Sequence, residues 1–297
     1  MSQSYLYSVA QAQDHLTAKT AVFIDTRYDL FDVQSGPRLY AQGRIPGALF
    51  FDQSQVMVGA CTGTNGRHPL PQLALFKQLL QQAGLSPEQQ IILYDDSSGQ
   101  SAARLWWMLR WAGYPHVALL DGGWQAWQAA QAPIDTQPVD VQRVSRLAQQ
   151  LGLTTQIAED ADQGNMPLCQ RETILAQLNA PRLCIIDARA AERYRGEVEP
   201  LDPIAGHIPG ALNRPTSQNL RPDGRFKSAE QLKSEWMALI AGFSPTEVVH
   251  QCGSGITACH NLFAMELAGL TGSALYAGSW SEWVAYEGAA VAVGNER

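Results

Sequence analysis

Cysteine is scarce in this chain. Five occur in 297 residues, at Cys61, Cys169, Cys184, Cys252 and Cys259. They are too few and too scattered for a disulfide framework. There is no Cys-x-x-Cys, and Cys259-His260 is the only adjacent Cys/His pair, so no zinc site of ordinary spacing is completed. Positive charge is also in deficit. The 21 Lys and Arg face 28 Asp and Glu, for a formal net charge of −7. That balance argues against nucleic acid or an anionic membrane as the main partner. Long apolar runs are missing too, and none approaches the roughly 20 residues of a membrane span. Met1-Ser2-Gln3-Ser4 has neither the basic region nor the apolar core of a secretion signal. The setting expected from these absences is a reducing cytoplasm, and nothing calls for a metal or another cofactor.

What the chain does have is a duplicated pattern. Tyr94-Asp95-Asp96-Ser97-Ser98-Gly99-Gln100-Ser101-Ala102 aligns with His250-Gln251-Cys252-Gly253-Ser254-Gly255-Ile256-Thr257-Ala258. At the same offset, Gly122-Gly123-Trp124-Gln125-Ala126-Trp127 aligns with Gly278-Ser279-Trp280-Ser281-Glu282-Trp283. Upstream, Phe23-Ile24-Asp25-Thr26-Arg27 pairs with Ile185-Ile186-Asp187-Ala188-Arg189. Gly43-Arg44-Ile45-Pro46-Gly47-Ala48-Leu49 likewise pairs with Gly206-His207-Ile208-Pro209-Gly210-Ala211-Leu212. Four matches in one order make the chain two copies of one domain. Only the second copy keeps a thiol, because Asp96 stands where Cys252 would be.

Each copy alternates short apolar runs with helical patterns. In the second, Leu183–Ile186, Glu247–His250 and Ala274–Tyr276 read as strands, and Ala229–Ile240 and Cys259–Leu270 as helices. Continuous apolar strands separated by helices indicate an α/β fold with a parallel sheet covered on both faces. Length agrees with two domains. The expected division is residues 1–137 and 167–297, with 138–166 as a polar linker able to form a short helix over Val144–Leu151.

Cys252 then lies at the carboxyl end of a strand, where such sheets bind ligands. The loop behind it holds Gly253, Ser254, Gly255, Ile256 and Thr257, and a helix follows. A strand, tight loop and helix aim several backbone N–H groups at the sulfur and favour its thiolate. The glycines let the backbone curl around it, and Ser254 and Thr257 add hydroxyl donors. The alternative is a buried, inert cysteine. That reading suits Cys61, Cys169, Cys184 and Cys259 but does not explain the small, donor-rich loop after Cys252.

With these residues the chain resembles the rhodanese-type sulfurtransferases, in the two-domain form with a silent first copy. The resemblance covers nearly the whole chain. It rests on the Asp-x-Arg after the first strand of each copy, the Gly-[His/Arg]-Ile-Pro-Gly-Ala segment, the cysteine loop and Gly-Ser-Trp-Ser-Glu-Trp. It implies that the cysteine takes the outer sulfur of a small donor as a persulfide. A thiol acceptor (a low-molecular-weight thiol or a thioredoxin-like protein) or cyanide then removes that sulfur. Members that prefer thiosulfate usually carry basic residues just after the cysteine. Here Gly253 and Ser254 stand there, and Cys-Gly-Ser-Gly-Ile-Thr is similar to the 3-mercaptopyruvate sulfurtransferase subfamily. That subfamily implies proton transfer by Ser254 and substrate binding by Arg193. Arg189, immediately after the strand, is read as pinning the loop.

A second substrate arginine of that subfamily is absent. The corresponding run is Glu199-Pro200-Leu201-Asp202, with leucine in its place. The first copy offers a substitute. Its stretch from Pro46 to Asp96 is about seven residues longer than the span from Pro209 to Cys252, and it carries Gly66-Arg67-His68-Pro69 among turn residues. By the resemblance, Asp52 and His68 reach across to the cysteine. Arg67 either supplies the missing charge or decorates a surface turn. A related phosphatase chemistry needs Cys-x5-Arg, and Ala258 occupies that arginine position. A thiosulfate sulfurtransferase and a persulfide carrier serving a protein partner are the remaining alternatives, and turnover of small donors separates the carrier from an enzyme.

Overall fold

The structure, a computed structural model, describes residues 5–158, 164–178 and 182–295. Met1-Ser2-Gln3-Ser4 lies outside the described residues. The chain gathers into two compact units. The first takes the residues up to Ala60, Leu70–Asn165 and Asp223–Arg225. The second takes Cys61–Pro69, Met166–Pro222 and the residues from Phe226 onward. The short segment holding Arg67 and His68 is thus part of the second unit, although it interrupts the sequence of the first. No helix among the described residues is long and apolar enough to cross a membrane.

The first unit is built on strands β1 (Leu6–Tyr7), β2 (Ala21–Asp25), β3 (Leu49–Phe50), β4 (Gln90–Tyr94) and β5 (Val117–Leu120). All pairings are parallel, in the order β1-β5-β4-β2-β3. The second unit has β6 (Cys184–Asp187), β7 (Leu212–Asn213), β8 (Val248–Gln251) and β9 (Ala274–Leu275), also parallel, in the order β7-β6-β8-β9. Every residue of β6 and β8 is buried, as expected for strands covered on both faces. Phe23, Ile92 and Trp127 centre the first core. Ile185, Val249, Trp280 and Trp283 centre the second.

The duplication extends to individual bonds. Asp25 grips Arg27 at 2.6 Å and Asp187 grips Arg189 at 2.6 Å. Each arginine lies over a tryptophan, Trp124 at 4.5 Å and Trp280 at 4.8 Å. Each also donates to the glycine carbonyl that opens the Ile-Pro-Gly segment, Gly43 at 2.6 Å and Gly206 at 2.7 Å. These buried pairs tie the end of the first long strand to the loop across from it.

Element ends differ from the sequence reading by one to three residues, for local reasons. β6 begins at Cys184 because the Leu183 N–H donates to Gln177 Oε1 at 2.8 Å instead of to a strand. The helix after the cysteine loop runs Ala258–Leu267 rather than Cys259–Leu270. It stops where Gly269 turns left-handed, with φ +73°, and the Leu270 N–H bonds back to the Met265 carbonyl at 2.9 Å. Between the two copies, Arg143–Gln150 is helical and buries Val144, Ser145 and Ala148 within the first unit.

His250, inside β8, is fully buried. Its Nε2 faces Met265 Sδ at 3.2 Å, and Nδ1 has no partner among the described residues. Burial, helped by the Arg214 charge, pushes its pKa down to about 3. The unfolded chain binds a proton there near pH 6.5, and the folded chain does not. The stability lost through this group is therefore nil above about pH 6.5 and grows as the pH drops toward 3. Urea unfolding between pH 5 and 7 should show this slope, above the range in which carboxylates titrate. His250→Leu should flatten it, and an unchanged slope would mean that another group is responsible.

Candidate active site

β8 delivers Cys252 to the sheet's carboxyl end with almost no exposed surface. Its backbone is held from three sides. The Cys252 N–H donates to Ser279 Oγ at 3.1 Å, and the Cys252 carbonyl accepts from the Trp280 N–H at 3.0 Å. The Gly253 carbonyl accepts from the Ser281 N–H at 2.9 Å. The Gly255 N–H points back and donates to Cys252 Sγ at 3.1 Å. Only glycine serves at 255. Its φ is +81°, and an added Cβ would lie 2.3 Å from the Ala277 carbonyl oxygen. Ile256 is buried and accepts from the Cys259 N–H at 3.1 Å. Thr257 sits at the helix N-cap without a side-chain capping bond.

Two guanidinium groups close on Gly253. A Cβ built there would stand 3.0 Å from Arg67 Nη2 and 3.4 Å from Arg193 Nη1. Arg193 comes from the short helix Ala191–Tyr194. Arg67 comes from the Cys61–Pro69 segment, which is anchored on the loop after β9. The Arg67 N–H donates to Ser281 Oγ at 3.0 Å, and a Cβ on Gly66 would meet the Gly278 carbonyl at 2.8 Å. The same segment sets His68 Nδ1 2.7 Å from Ser254 Oγ. The positive charge absent from Gly253 and Ser254 themselves is thus supplied beside them by Arg67 and Arg193.

Both arginines are met by carboxylates. Arg193 Nη2 lies 2.6 Å from Glu199 Oε1 and 3.6 Å from Asp202 Oδ2, and Arg67 Nη1 bonds Asp202 Oδ1. Arg189 lies 3.3 Å from Glu199. Burial works against the charged form of Glu199. The bond from Arg193 and the amides of Leu201 and Asp202 outweigh it and hold the Glu199 carboxyl below its usual range. Burial likewise opposes the charge on Arg189, but Asp187, Glu199 and Cys252 together raise its proton affinity.

A model of the rhodanese-like domain matches residues 8–130 and 170–286. The chain belongs to the rhodanese family. A Pseudomonas aeruginosa protein named "Probable 3-mercaptopyruvate sulfurtransferase" is 42% identical over 297 residues, covering 99% of this rhodanese and 100% of that relative. The 3-mercaptopyruvate sulfurtransferase of Mus musculus is 34% identical, over 83% of this chain and 78% of its own. The solved 3-mercaptopyruvate sulfurtransferase from Leishmania major superposes with a TM-score of 0.77 at 28% identity, covering 95% of this chain and 75% of its own.

Within this rhodanese the first copy's loop is organised differently. The residue preceding Asp96 fills it. Asp95 Oδ1 accepts from Ser97 N at 3.0 Å and Gly99 N at 2.8 Å, and Oδ2 accepts from Ser101 N and Ala102 N, both at 2.9 Å. Burial, reinforced by the Asp95 charge, pushes the Asp96 carboxyl up. In the second copy Gln251 takes the Asp95 position. It is neutral, and its side-chain amide has no partner among the described residues.

Asp52 belongs to the first unit. There it caps the helix Gln53–Val56, accepting from Ser54 N at 2.9 Å. Three of the other rhodanese cysteines have structural surroundings. Burial pushes Cys169 up to about 11, Cys184 lies in β6, and Cys259 donates to the Gly255 carbonyl at 3.4 Å. Cys61 is exposed. Sequence reasoning missed Ser279, which holds the Cys252 N–H at φ +54°. The signal was available in the duplication, since the aligned residue is Gly123, at φ +56°.

Proposed function

We propose that this sulfurtransferase takes sulfur from 3-mercaptopyruvate through a persulfide on Cys252. The Cys252 thiolate attacks the donor sulfur, and the carbon–sulfur bond breaks. The bonding pair leaves on carbon as the enolate of pyruvate. The proton of the donor thiol ends on that carbon, and the Ser254–His68 pair is placed to move it. Gly255 N–H, already on the sulfur, supports the anionic persulfide. An acceptor thiol, of low molecular weight or on a thioredoxin-like protein, then attacks the outer sulfur and regenerates Cys252. Cyanide does the same and leaves as thiocyanate. A reducing, cytoplasmic setting keeps the thiol available.

The observation that carries the donor assignment is the pair of guanidiniums against Gly253, Arg67 and Arg193. A carboxylate on a ketone carbon fits two such groups. Steady-state assays run in parallel with mercaptopyruvate and thiosulfate test it. We expect kcat/KM to be higher for mercaptopyruvate. Higher thiosulfate turnover would place the chain with the thiosulfate sulfurtransferases. Cycling that stops after one equivalent would favour a carrier that needs a protein partner.

A further inference from the structure

The donor site contains its own carboxylate. Asp202 presents Oδ1 to Arg67 and Oδ2 to Arg193, one oxygen toward each guanidinium that the proposed donor would use. Its place is preset. The Leu201 and Asp202 N–H groups donate to Glu199 at 3.1 and 3.2 Å, and the Trp280 indole holds the Ile204 carbonyl at 2.9 Å. Its hold is incomplete. Arg193 makes its short contact with Glu199, and buried Asp202 Oδ2 has no hydrogen-bond partner among the described residues. The Arg67–Asp202 pair itself is reached from solvent, because Arg67 is 28% exposed and a pocket of about 250 Å³ borders the pair.

Counting charge explains what this does. Arg67, Arg189 and Arg193 are three cations, and Asp187, Glu199 and Asp202 are three anions in contact with them. The cluster is neutral before a donor arrives. A thiolate on Cys252 adds a further negative charge. Each negative charge brought in by a donor meets a site with no surplus to receive it, and the repulsion grows with donor charge.

Resting on the sulfurtransferase reading above, we infer that Asp202 is a specificity-determining residue that tunes the donor site for a singly charged donor and against a dianion. Mercaptopyruvate carries one charge at neutral pH and thiosulfate carries two. Asp202→Asn keeps the size of the side chain and removes the charge. We expect KM for mercaptopyruvate to fall about tenfold, and that for thiosulfate toward a hundredfold, because the dianion feels the lost repulsion twice. The preference for mercaptopyruvate over thiosulfate, as a ratio of kcat/KM values, therefore shrinks about tenfold. In an Arg67→Ala background the gain should largely vanish, since the two residues act as a pair.

A purely supporting Asp202 predicts otherwise. Its loss would loosen both arginines, raise KM for both donors and leave the ratio unchanged, and that result overturns the inference. Asp202→Ala is the second variant if Asp202→Asn does not fold. Intact mass after donor addition distinguishes sulfur transfer itself from the role of Asp202. If wild type gains no sulfur from either donor, the sulfurtransferase reading falls and this inference with it. If wild type gains one sulfur from each but the ratio stays fixed in the variants, only the Asp202 role falls.

Discussion

Cys252→Ser should give a folded protein that accepts no sulfur. The hydroxyl still offers an acceptor to the Gly255 N–H, so the loop keeps its internal bond. The expected cost in stability is within about 1–2 kcal/mol. Activity should drop by on the order of 10⁴ or more, because removing the nucleophile of a covalent route removes the route. Intact-mass measurement after adding donor should show one extra sulfur on the wild type and none on the variant. Replacing Cys61, Cys169, Cys184 or Cys259 singly should leave loading in place. A persulfide found on any of those four would refute the assignment of Cys252.

Arg193→Ala should carry the next largest effect. Loss of a charged, hydrogen-bonded contact costs roughly 1.5–3 kcal/mol, or about one to two decades in kcat/KM for mercaptopyruvate, mostly through KM. Arg67→Ala should cost a similar amount, and the double variant more than either. Arg193→Ala also leaves Glu199 with Arg189 as its one cation, which adds a disturbed loop to the loss. Arg193→Lys addresses this. It keeps a cation for Glu199 but cannot hold a carboxylate with a planar fork, so activity should recover only partly. If Arg193→Ala is silent with mercaptopyruvate, these arginines do not bind the donor.

The parts of this molecule legible in the sequence are those where neighbours along the chain make the structure. The strand ending at Gln251, the loop of Gly253 to Thr257 and the helix behind it are local, and the matching run in the first copy reinforced the reading. Two-residue edge strands such as β3 and β7 carry no periodicity, and sequence gave no sign of them. What stayed hidden is long-range. Arg67 lies far from Gly253 in sequence, and turn composition alone left it balanced between a site residue and a surface turn. Its bonds to Ser281 and Asp202 place it beside Gly253. Leu201 drew attention as a missing arginine, whereas Asp202 beside it is the residue that contacts both guanidiniums.

Asp95 makes the first copy's loop hard to convert into a cysteine site. Backbone amides without a partner are costly in a buried place, and the Asp95 carboxylate accepts from four of them in this loop. Introducing a nucleophile by Asp96→Cys alone would place a thiol in a loop whose donors are already engaged, next to a negative charge that opposes the thiolate. Two coordinated changes, at 95 and 96, would be needed to give this loop a reactive thiol.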